Sequence, residues 1–181
     1  MQVDWNRWMV LSLAAALSSC SGGAGSPKVR RASSQSILIH SRINLADYHV
    51  SGRHDRATAL HNVEQATDGG PSRRSTYQKA PGGKVLIDTR VLRALEKLAD
   101  SGYSMRISEL AGGSHSSRSR HYAGIAFDVD QINGVKVNYS NPYYKAFMKK
   151  CRRMGATEVL GPGDSGHSGH VHAAWPRRRG Q

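Results

Sequence analysis

The sequence predicts an α+β fold in which helices flank a small antiparallel sheet. An apolar stripe at helical spacing begins after Thr89 and ends before Gly102, which predicts a helix with one buried face. Residues 105–110 predict a central strand, and Asn133 with Gly134 forms a hairpin signal between two strand-like segments. Because helical and hairpin patterns occur in one short chain, we expect helices packed against an antiparallel sheet.

The other elements complete this mixed order. Asp55 is a candidate cap for a helix that extends to Thr67, and Asn141 with Pro142 begins a further helix that ends at Gly155. Short strands are expected at residues 37–39, 85–87, 128–132, 135–138, 157–160 and 170–175. Glycine-rich loops at residues 112–118 and 161–169 connect these strands.

The amino terminus predicts export. An apolar run at residues 8–17 is too short to span a bilayer but fits the hydrophobic core of a secretory signal. It leads into Leu17-Ser-Ser-Cys20, which resembles a bacterial lipobox, so Cys20 is the candidate lipidation site; an ordinary signal peptide with an unrelated cysteine is the alternative. The chain is then divided into a signal peptide (1–19), a flexible polar tether (20–36), one folded domain (37–176) and a basic tail (177–181).

Charge and cysteine content suggest the environment of the exported chain. Lys and Arg number 26 against 13 Asp and Glu, a net charge of +13, which suits anionic wall polymers and lipid headgroups. Export and the lack of a recognisable binding motif argue against nucleic acid as a partner. Cys151 lies on the apolar side of a predicted helix and is expected to be a core thiol. We expect a monomer held at a membrane of the cell envelope or periplasm by a lipid anchor.

Two histidine-containing segments predict a split zinc site. Residues 119–128 combine a histidine with a carboxylate at the start of a buried strand, and residues 167–172 contain three histidines. Side chains alternate along a strand, so His170 and His172 should point to the same face. Zinc with three protein ligands keeps one coordination position open, which is typical of hydrolytic sites.

These segments also resemble a known superfamily. Ser119-x-His121-x-x-Gly124-x-Ala126-x-Asp128 matches every fixed position of the motif of the zinc D-Ala-D-Ala carboxypeptidases and L-Ala-D-Glu endopeptidase endolysins. The closing His-x-His is similar to that of the penicillin-insensitive murein endopeptidases, which share with these enzymes and the hedgehog signalling domain a small zinc-binding α+β fold. The resemblance covers residues 84–175. It implies one Zn²⁺ ion held by His121, Asp128 and His172.

One departure from the motif concerns the general base. The carboxypeptidase branch has a glutamate three residues before the last ligand, where this chain has Gly169. The spacing of His167, His170 and His172 resembles that of the murein endopeptidases, in which the two earlier histidines assist the chemistry. His170 is therefore the first candidate base and His167 the second. Glu109 and Asp130 are further candidates, with a role at a strand end or in orienting a ligand histidine as the alternative.

Residues beside the first ligand are candidates for substrate binding. Arg118, Ser119 and Arg120 precede His121, and either arginine can hold a substrate carboxylate or carbonyl, the alternative being simple solvent exposure. His115 is a further candidate contact. The resemblance implies a zinc metallopeptidase that hydrolyses peptide bonds in bacterial peptidoglycan, as an endopeptidase or a D-Ala-D-Ala carboxypeptidase. The alternative is a zinc-stabilised, non-catalytic module that binds the cell wall.

Overall fold

The computed structural model describes residues 24–51 and 53–178, so the predicted signal peptide, Cys20 and residues 179–181 lie outside the described part. The helices are α1 (Pro27–Ile39), α2 (Ala59–Ala66), α3 (Thr89–Asp100) and α4 (Tyr144–Arg153). The strands are β1 (Ile43–Leu45), β2 (Ser72–Arg73), β3 (Lys84–Val85), β4 (Met105–Glu109), β5 (Ala126–Ile132), β6 (Val135–Lys136), β7 (Glu158–Leu160) and β8 (Val171–Ala174). None of these four helices combines the length and hydrophobicity needed to cross a bilayer.

The main sheet confirms the α+β class and corrects one detail of it. Its strand order is β1-β4-β5-β8-β7, with β6 paired to the end of β5, and β2 and β3 form a separate small sheet. The pairs among β4, β5, β6, β7 and β8 are antiparallel as expected. The prediction of an antiparallel sheet is wrong at β1, which pairs in parallel with β4 because α2, α3 and the small sheet lie between them in the chain.

The two faces of the sheet have different chemistry. Phe127 and Val129 of β5 and Val171 and Ala173 of β8 are fully buried in the core. Helices α3 and α4 cover this face with their apolar stripes, which include Leu92, Leu95, Leu98, Phe147 and Cys151. Burial also raises the pKa of the Cys151 thiol to about 12, which agrees with a core thiol. Asp128 of β5 and His172 of β8, which alternate with these core residues, point to the opposite face.

A β-bulge in β4 changes which face its last side chain meets. Ile107 pairs with Val129, a core residue, whereas Glu109 pairs with the adjacent Asp128, so Ser108 is an extra residue on β4. Such a bulge shifts the side chains that follow it to the other face of the sheet. Glu109 therefore lies on the polar face beside Asp128.

Helix α1 occupies residues 27–36 of the predicted tether, so the prediction of a flexible tether is wrong there. The helix continues through Ile39, so the strand expected at residues 37–39 is also wrong. The segment has few apolar residues, a composition typical of unfolded tethers. Pro27 starts the helix, and the helix packs through Ile37, two small serines and one fully buried arginine, Arg30. Arg30 donates from Nε to Ile87 O (2.8 Å), from Nη1 to Gly69 O (2.8 Å) and from Nη2 to Ala24 O (3.0 Å).

We expect Arg30→Met to lower the free energy of unfolding by about 2–4 kcal/mol, because the substitution leaves buried carbonyl oxygens without donors. Arg31→Met is the matched control, since Arg31 is exposed and donates one bond to Asp68 O. It should change stability by less than about 0.5 kcal/mol. Urea unfolding of the two variants checks the difference. Equal stabilities would mean that Arg30 does not hold α1 in place.

Two helix starts and the carboxyl terminus also differ from expectation. Thr58 caps α2, with its hydroxyl accepting from His61 N, and Asp88 caps α3 in place of Thr89. Asp88 is fully buried, and Arg178 donates to it at 2.9 Å. The predicted basic tail is thus anchored to the domain through at least Arg178.

Candidate metal centre

Three predicted ligands meet on the polar face of the sheet. Asp128 and His172 are directly paired on β5 and β8, and His121 lies in a 3₁₀ turn just before β5. His121 Nε2 lies 3.2 Å from Asp128 Oδ1 and 3.1 Å from His172 Nδ1, and His172 Nδ1 lies 2.8 Å from Asp128 Oδ1. The segments that sequence analysis linked are therefore brought together.

The 3₁₀ turn depends on Gly124. This residue has φ of 67° and directly follows the turn that carries His121. A Cβ atom at this position would lie 2.3 Å from Leu86 O, which is backbone and cannot move aside. Glycine is thus required both for the left-handed conformation and for the close approach.

Hydrogen bonds on the outer side of each ring fix the tautomers that a metal requires. His121 Nδ1 lies 2.6 Å from the carbonyl oxygen of Leu110, and His172 Nε2 lies 3.2 Å from Glu158 Oε1. Both partners are acceptors, so each of these outer ring nitrogens can keep a proton while the inner nitrogen gives up its own and offers a lone pair to a metal ion. Two imidazole lone pairs and a carboxylate oxygen then converge, and such a set needs a shared proton or a cation.

The spacing of these three atoms fits a small divalent ion. Ligand atoms held at about 2.0–2.1 Å by a tetrahedral zinc ion lie about 3.3–3.4 Å apart. The separations of 2.8–3.2 Å are slightly shorter, so an expansion of a few tenths of an ångström would accommodate the ion.

Charge inside the centre already favours a cation. Burial raises the pKa of Asp128, but His121 and His172 outweigh burial and hold the pKa well below its usual value. Burial lowers the pKa of His121, but the Asp128 carboxylate outweighs burial and raises it. The carboxylate is therefore ionised and attracts positive charge, which a metal ion supplies more fully than a proton.

His115 extends the cluster. His115, His121 and Asp128 each offer a ligand atom, all within 4.8 Å of one another, and this group can hold a metal ion. The rings of His115 and His121 are stacked, however, with centroids 4.1 Å apart and planes 9° from parallel. Nitrogen lone pairs lie in the ring plane, so two parallel rings do not direct them at one ion. His172, whose ring is tilted by 59° to that of His121, is the better third ligand.

Burial and the neighbouring His121 lower the pKa of His115 to about 3, so its ring is neutral. Its Nε2 lies 3.1 Å from Gly112 O, and its backbone N donates to the hydroxyl of Tyr122. The sequence predicts His115 as a candidate substrate contact. In the structure its ring is stacked on that of His121, so it lines one side of the centre.

The two candidate bases lie on the open side of the centre. His170 Nε2 is 3.8 Å from Asp128 Oδ2, the carboxylate oxygen that does not face the other ligands. The rings of His167 and His170 have centroids 4.9 Å apart. Burial lowers the pKa of His170 despite the opposing effect of Asp128. The lowered pKa favours the neutral imidazole, which can accept a proton.

The other two carboxylates are held elsewhere. Asp130 accepts from Arg106 Nε at 2.9 Å and does not line the groove described below. Glu109 accepts from the fully buried His49 at 2.8 Å and makes no hydrogen bond to a ligand ring among the described residues. Neither therefore orients a ligand histidine, which was one of their expected roles.

The structure assigns local partners to two of the candidate substrate-binding residues. Ser119 Oγ accepts from the backbone N of His121 at 3.3 Å, so it supports the ligand turn. Arg120 donates to Trp175 O at 2.8 Å and pairs with Glu158 at 3.2 Å. Arg118 is exposed on the groove wall and stays a candidate. The sequence does not predict Glu158 as a site residue, although its carboxylate contacts His172. The signal that could have identified it is a pairing between the strands predicted at residues 157–160 and 170–175.

A buried ion-pair network lies beside the centre. His49, 2% exposed, joins Glu109 to Asp55, whose oxygen lies 2.9 Å from His49 Nε2. Burial lowers the pKa of His49, but hydrogen bonds and charge from Glu109 and Asp55 outweigh burial and raise it to about 9. Burial raises the pKa of Glu109 against the pull of His49. The cationic form of His49 thus stabilises the end of β4, where Glu109 lies.

We expect His49→Gln to destabilise the fold in a pH-dependent way. The pKa of His49 is raised from 6.5 to about 9 on folding, so its stabilisation is fully present below pH 6.5 and is lost as the pH rises through about 9. The difference from the parent protein should be on the order of 3 kcal/mol at pH 6 and should shrink toward pH 10. Urea unfolding across this range checks it, with the exposed His54→Gln as control. A difference independent of pH would contradict the assignment.

The centre forms the floor of a long groove with a volume of about 1250 Å³. Its lining crosses four strands of the sheet, from Glu109 on β4 through Asp128 and His172 to Glu158 on β7. Three steps between adjacent strands correspond to about 14 Å. Asp128 and His172 lie on the middle two of these four strands, so the groove extends to both sides of them.

No protein-family model, curated protein or solved structure matches the chain. The functional assignment therefore rests on the residues of the site and their geometry.

Proposed function

We propose that the protein is a zinc-dependent metallopeptidase that hydrolyses peptide bonds in bacterial peptidoglycan. The observation that carries the proposal is the convergence of His121 Nε2, Asp128 Oδ1 and His172 Nδ1 within 2.8–3.2 Å on the floor of a long groove. Two neutral imidazoles and one carboxylate form a typical catalytic zinc set. The motif resemblance in residues 84–175 supports the choice of peptidoglycan.

A zinc ion at this position would polarise a scissile carbonyl and lower the pKa of a water molecule to about 7. His170, on the open side of the centre, would accept a proton from the attacking water, stabilise negative charge on the attacked carbonyl oxygen while it is charged, and return the proton to the leaving amine nitrogen. His167 lies next to it and assists. No carboxylate has this role here, since position 169 is glycine.

The length of the groove favours an endopeptidase over a carboxypeptidase. An extended peptide advances about 3.3 Å per residue, so about 14 Å accommodates about four residues. Strand β4 on one side of Asp128 and His172 and strand β7 on the other leave room for peptide on both sides of the cleaved bond. An enzyme that removes one terminal residue needs a wall close to the metal on one side.

The charge of the protein suits this substrate. A net charge of +13 attracts anionic wall polymers at long range, and the groove itself carries exposed Arg118 at its rim. A cation at the rim can hold a carboxylate of the peptide while the chain lies along the groove.

The test is digestion of purified peptidoglycan by the protein beginning after Cys20, with mass-spectrometric identification of the products. We expect defined muropeptides to be released by the zinc-loaded protein and not in the presence of a chelator. Comparison of cross-linked dimers with pentapeptide monomers distinguishes an endopeptidase from a carboxypeptidase. Preferential cleavage of the monomers at the terminal residue would overturn the endopeptidase assignment.

A non-catalytic binding module is the second candidate, favoured by the glycine at position 169. An added Cβ there would meet no atom within 4 Å, so the site has room for the glutamate of the carboxypeptidase motif, but this chain does not supply it. Tight zinc binding and sedimentation with intact sacculi, without cleavage of any bond, would favour this candidate and overturn the peptidase.

A further inference from the structure

A chain of polar contacts extends from the ligand His172 to the body of the protein. His172 Nε2 lies 3.2 Å from Glu158 Oε1, and the other oxygen, Oε2, lies 3.2 Å from Arg120 Nε. Arg120 Nη1 in turn donates to the backbone oxygen of Trp175 at 2.8 Å. Trp175 is 2% exposed and follows the strand that carries His172. The contacts therefore form a closed loop around the ligand strand.

Strand pairing fixes the geometry of this loop. Glu158 is the first residue of β7 and Leu160, two residues later, pairs with His172. Alternation places Glu158 on the same face as Leu160 and His172, so its carboxylate lies beside the ring. Arg120 directly precedes the candidate ligand His121, and its guanidinium pairs with the carboxylate oxygen of Glu158 that does not face His172.

A ring nitrogen binds zinc only when it is unprotonated and directed at the ion. Glu158 accepts the proton of Nε2, which leaves the lone pair on Nδ1, and Nδ1 is the atom that faces Asp128 Oδ1 at 2.8 Å. His121 gains the same orientation from a backbone carbonyl. The hydrogen-bond partners of the His172 ring among the described residues are all side chains, so a side chain performs this function.

We propose that Glu158 and Arg120 are positioning residues that hold His172 in the metal-binding tautomer and orientation. Arg120, a candidate for substrate binding by its place in the sequence, acts through Glu158. This inference rests on the proposed function only in requiring that a metal ion binds to His172.

The first measurement is zinc affinity by chelator competition. We expect Glu158→Ala to weaken zinc binding about 10–100-fold. Glu158→Gln keeps an oxygen that can accept a hydrogen bond from Nε2, so its zinc affinity should fall less than that of Glu158→Ala. Arg120→Ala should weaken binding by a smaller factor than Glu158→Ala, because the pair is partly exposed and solvent weakens its electrostatic restraint. The matched control is Glu64→Ala, an exposed glutamate on α2 outside the groove, which should not change the affinity.

The second measurement separates positioning from a general structural role. Nitrogen-15 NMR of the zinc-loaded protein should show His172 bound to the ion through Nδ1 with its proton on Nε2, and Glu158→Ala should show a mixture of binding through Nδ1 and through Nε2. Thermal unfolding of the metal-free variant should match that of the parent protein, since Glu158 is partly exposed. The stabilisation gained on adding zinc should be smaller for the variant.

The outcomes distinguish this inference from the proposed function. If the parent protein binds no zinc, the proposed function fails. If the parent binds zinc and Glu158→Ala binds it equally tightly with an unchanged tautomer, the positioning role is overturned and the metal site stands. Loss of affinity accompanied by lower stability of the metal-free fold would also overturn it in favour of a structural role.

Discussion

Replacement of His172 by alanine is expected to abolish both zinc binding at micromolar protein concentration and peptidoglycan cleavage. The substitution removes one of three converging ligand atoms, so the remaining pair holds the ion weakly. Loss of the metal forfeits several kcal/mol of transition-state stabilisation, which corresponds to a decrease of at least about 10³-fold in kcat/KM. Metal content and the rate of muropeptide release measure the two effects.

His40→Ala is the matched control for this prediction. His40 follows α1 and does not line the groove; the partners of its ring are the exposed Asp100 and the backbone N of Arg42. It should retain metal content and activity. Activity of His172→Ala within tenfold of the parent protein would exclude His172 as a ligand, and the stacked His115 would become the alternative third ligand.

His170→Ala is expected to lower kcat by about 10²–10⁴-fold while zinc affinity stays unchanged. His170 Nε2 approaches Asp128 from the open side at 3.8 Å, beyond hydrogen-bond distance, so its removal leaves the three ligands intact. The result would separate proton transfer from metal binding. Steady-state kinetics with a defined peptide dimer, together with chelator competition, supplies both numbers.

The same kinetics on His167→Ala divide the roles of the two histidines. His167 and His170 are both partly exposed, and His167 Nδ1 lies 2.7 Å from Ser165 O in its own loop. We expect a smaller loss than for His170→Ala. A large loss in His167→Ala with near-normal turnover in His170→Ala would assign the proton transfer to His167 instead.

Local patterns were sufficient to predict the positions of most residues of the candidate centre. His121 and Asp128 lie seven residues apart around a glycine-dependent turn, so their proximity follows from the local sequence. The strand that carries His172 was also predictable from its own residues. Its direct pairing with the strand of Asp128 was not, because register is a tertiary property that no local pattern fixes.

Three features escaped prediction for physical reasons. Helix α1 is anchored by the buried Arg30, whose partners lie up to 57 residues away. The bulge at Ser108 turns Glu109 to the polar face, although the alternation of β4 alone does not reveal an extra residue. Glu158 becomes a partner of His172 only when β7 and β8 pair. Each depends on contacts between segments distant in sequence.

The contact between Arg30 and Ala24 bears on how far a lipid anchor at Cys20 could hold the domain from a membrane. Ala24 is 4% exposed and its carbonyl oxygen accepts a hydrogen bond from Arg30, so the folded body includes Ala24 rather than starting after residue 36. Were Cys20 lipidated as the sequence predicts, three residues would lie between Cys20 and Ala24, a reach of at most about 14 Å. If the protein is the proposed peptidase, it would then cleave only the layer of wall next to its own bilayer, and access to deeper layers would require release of the lipid.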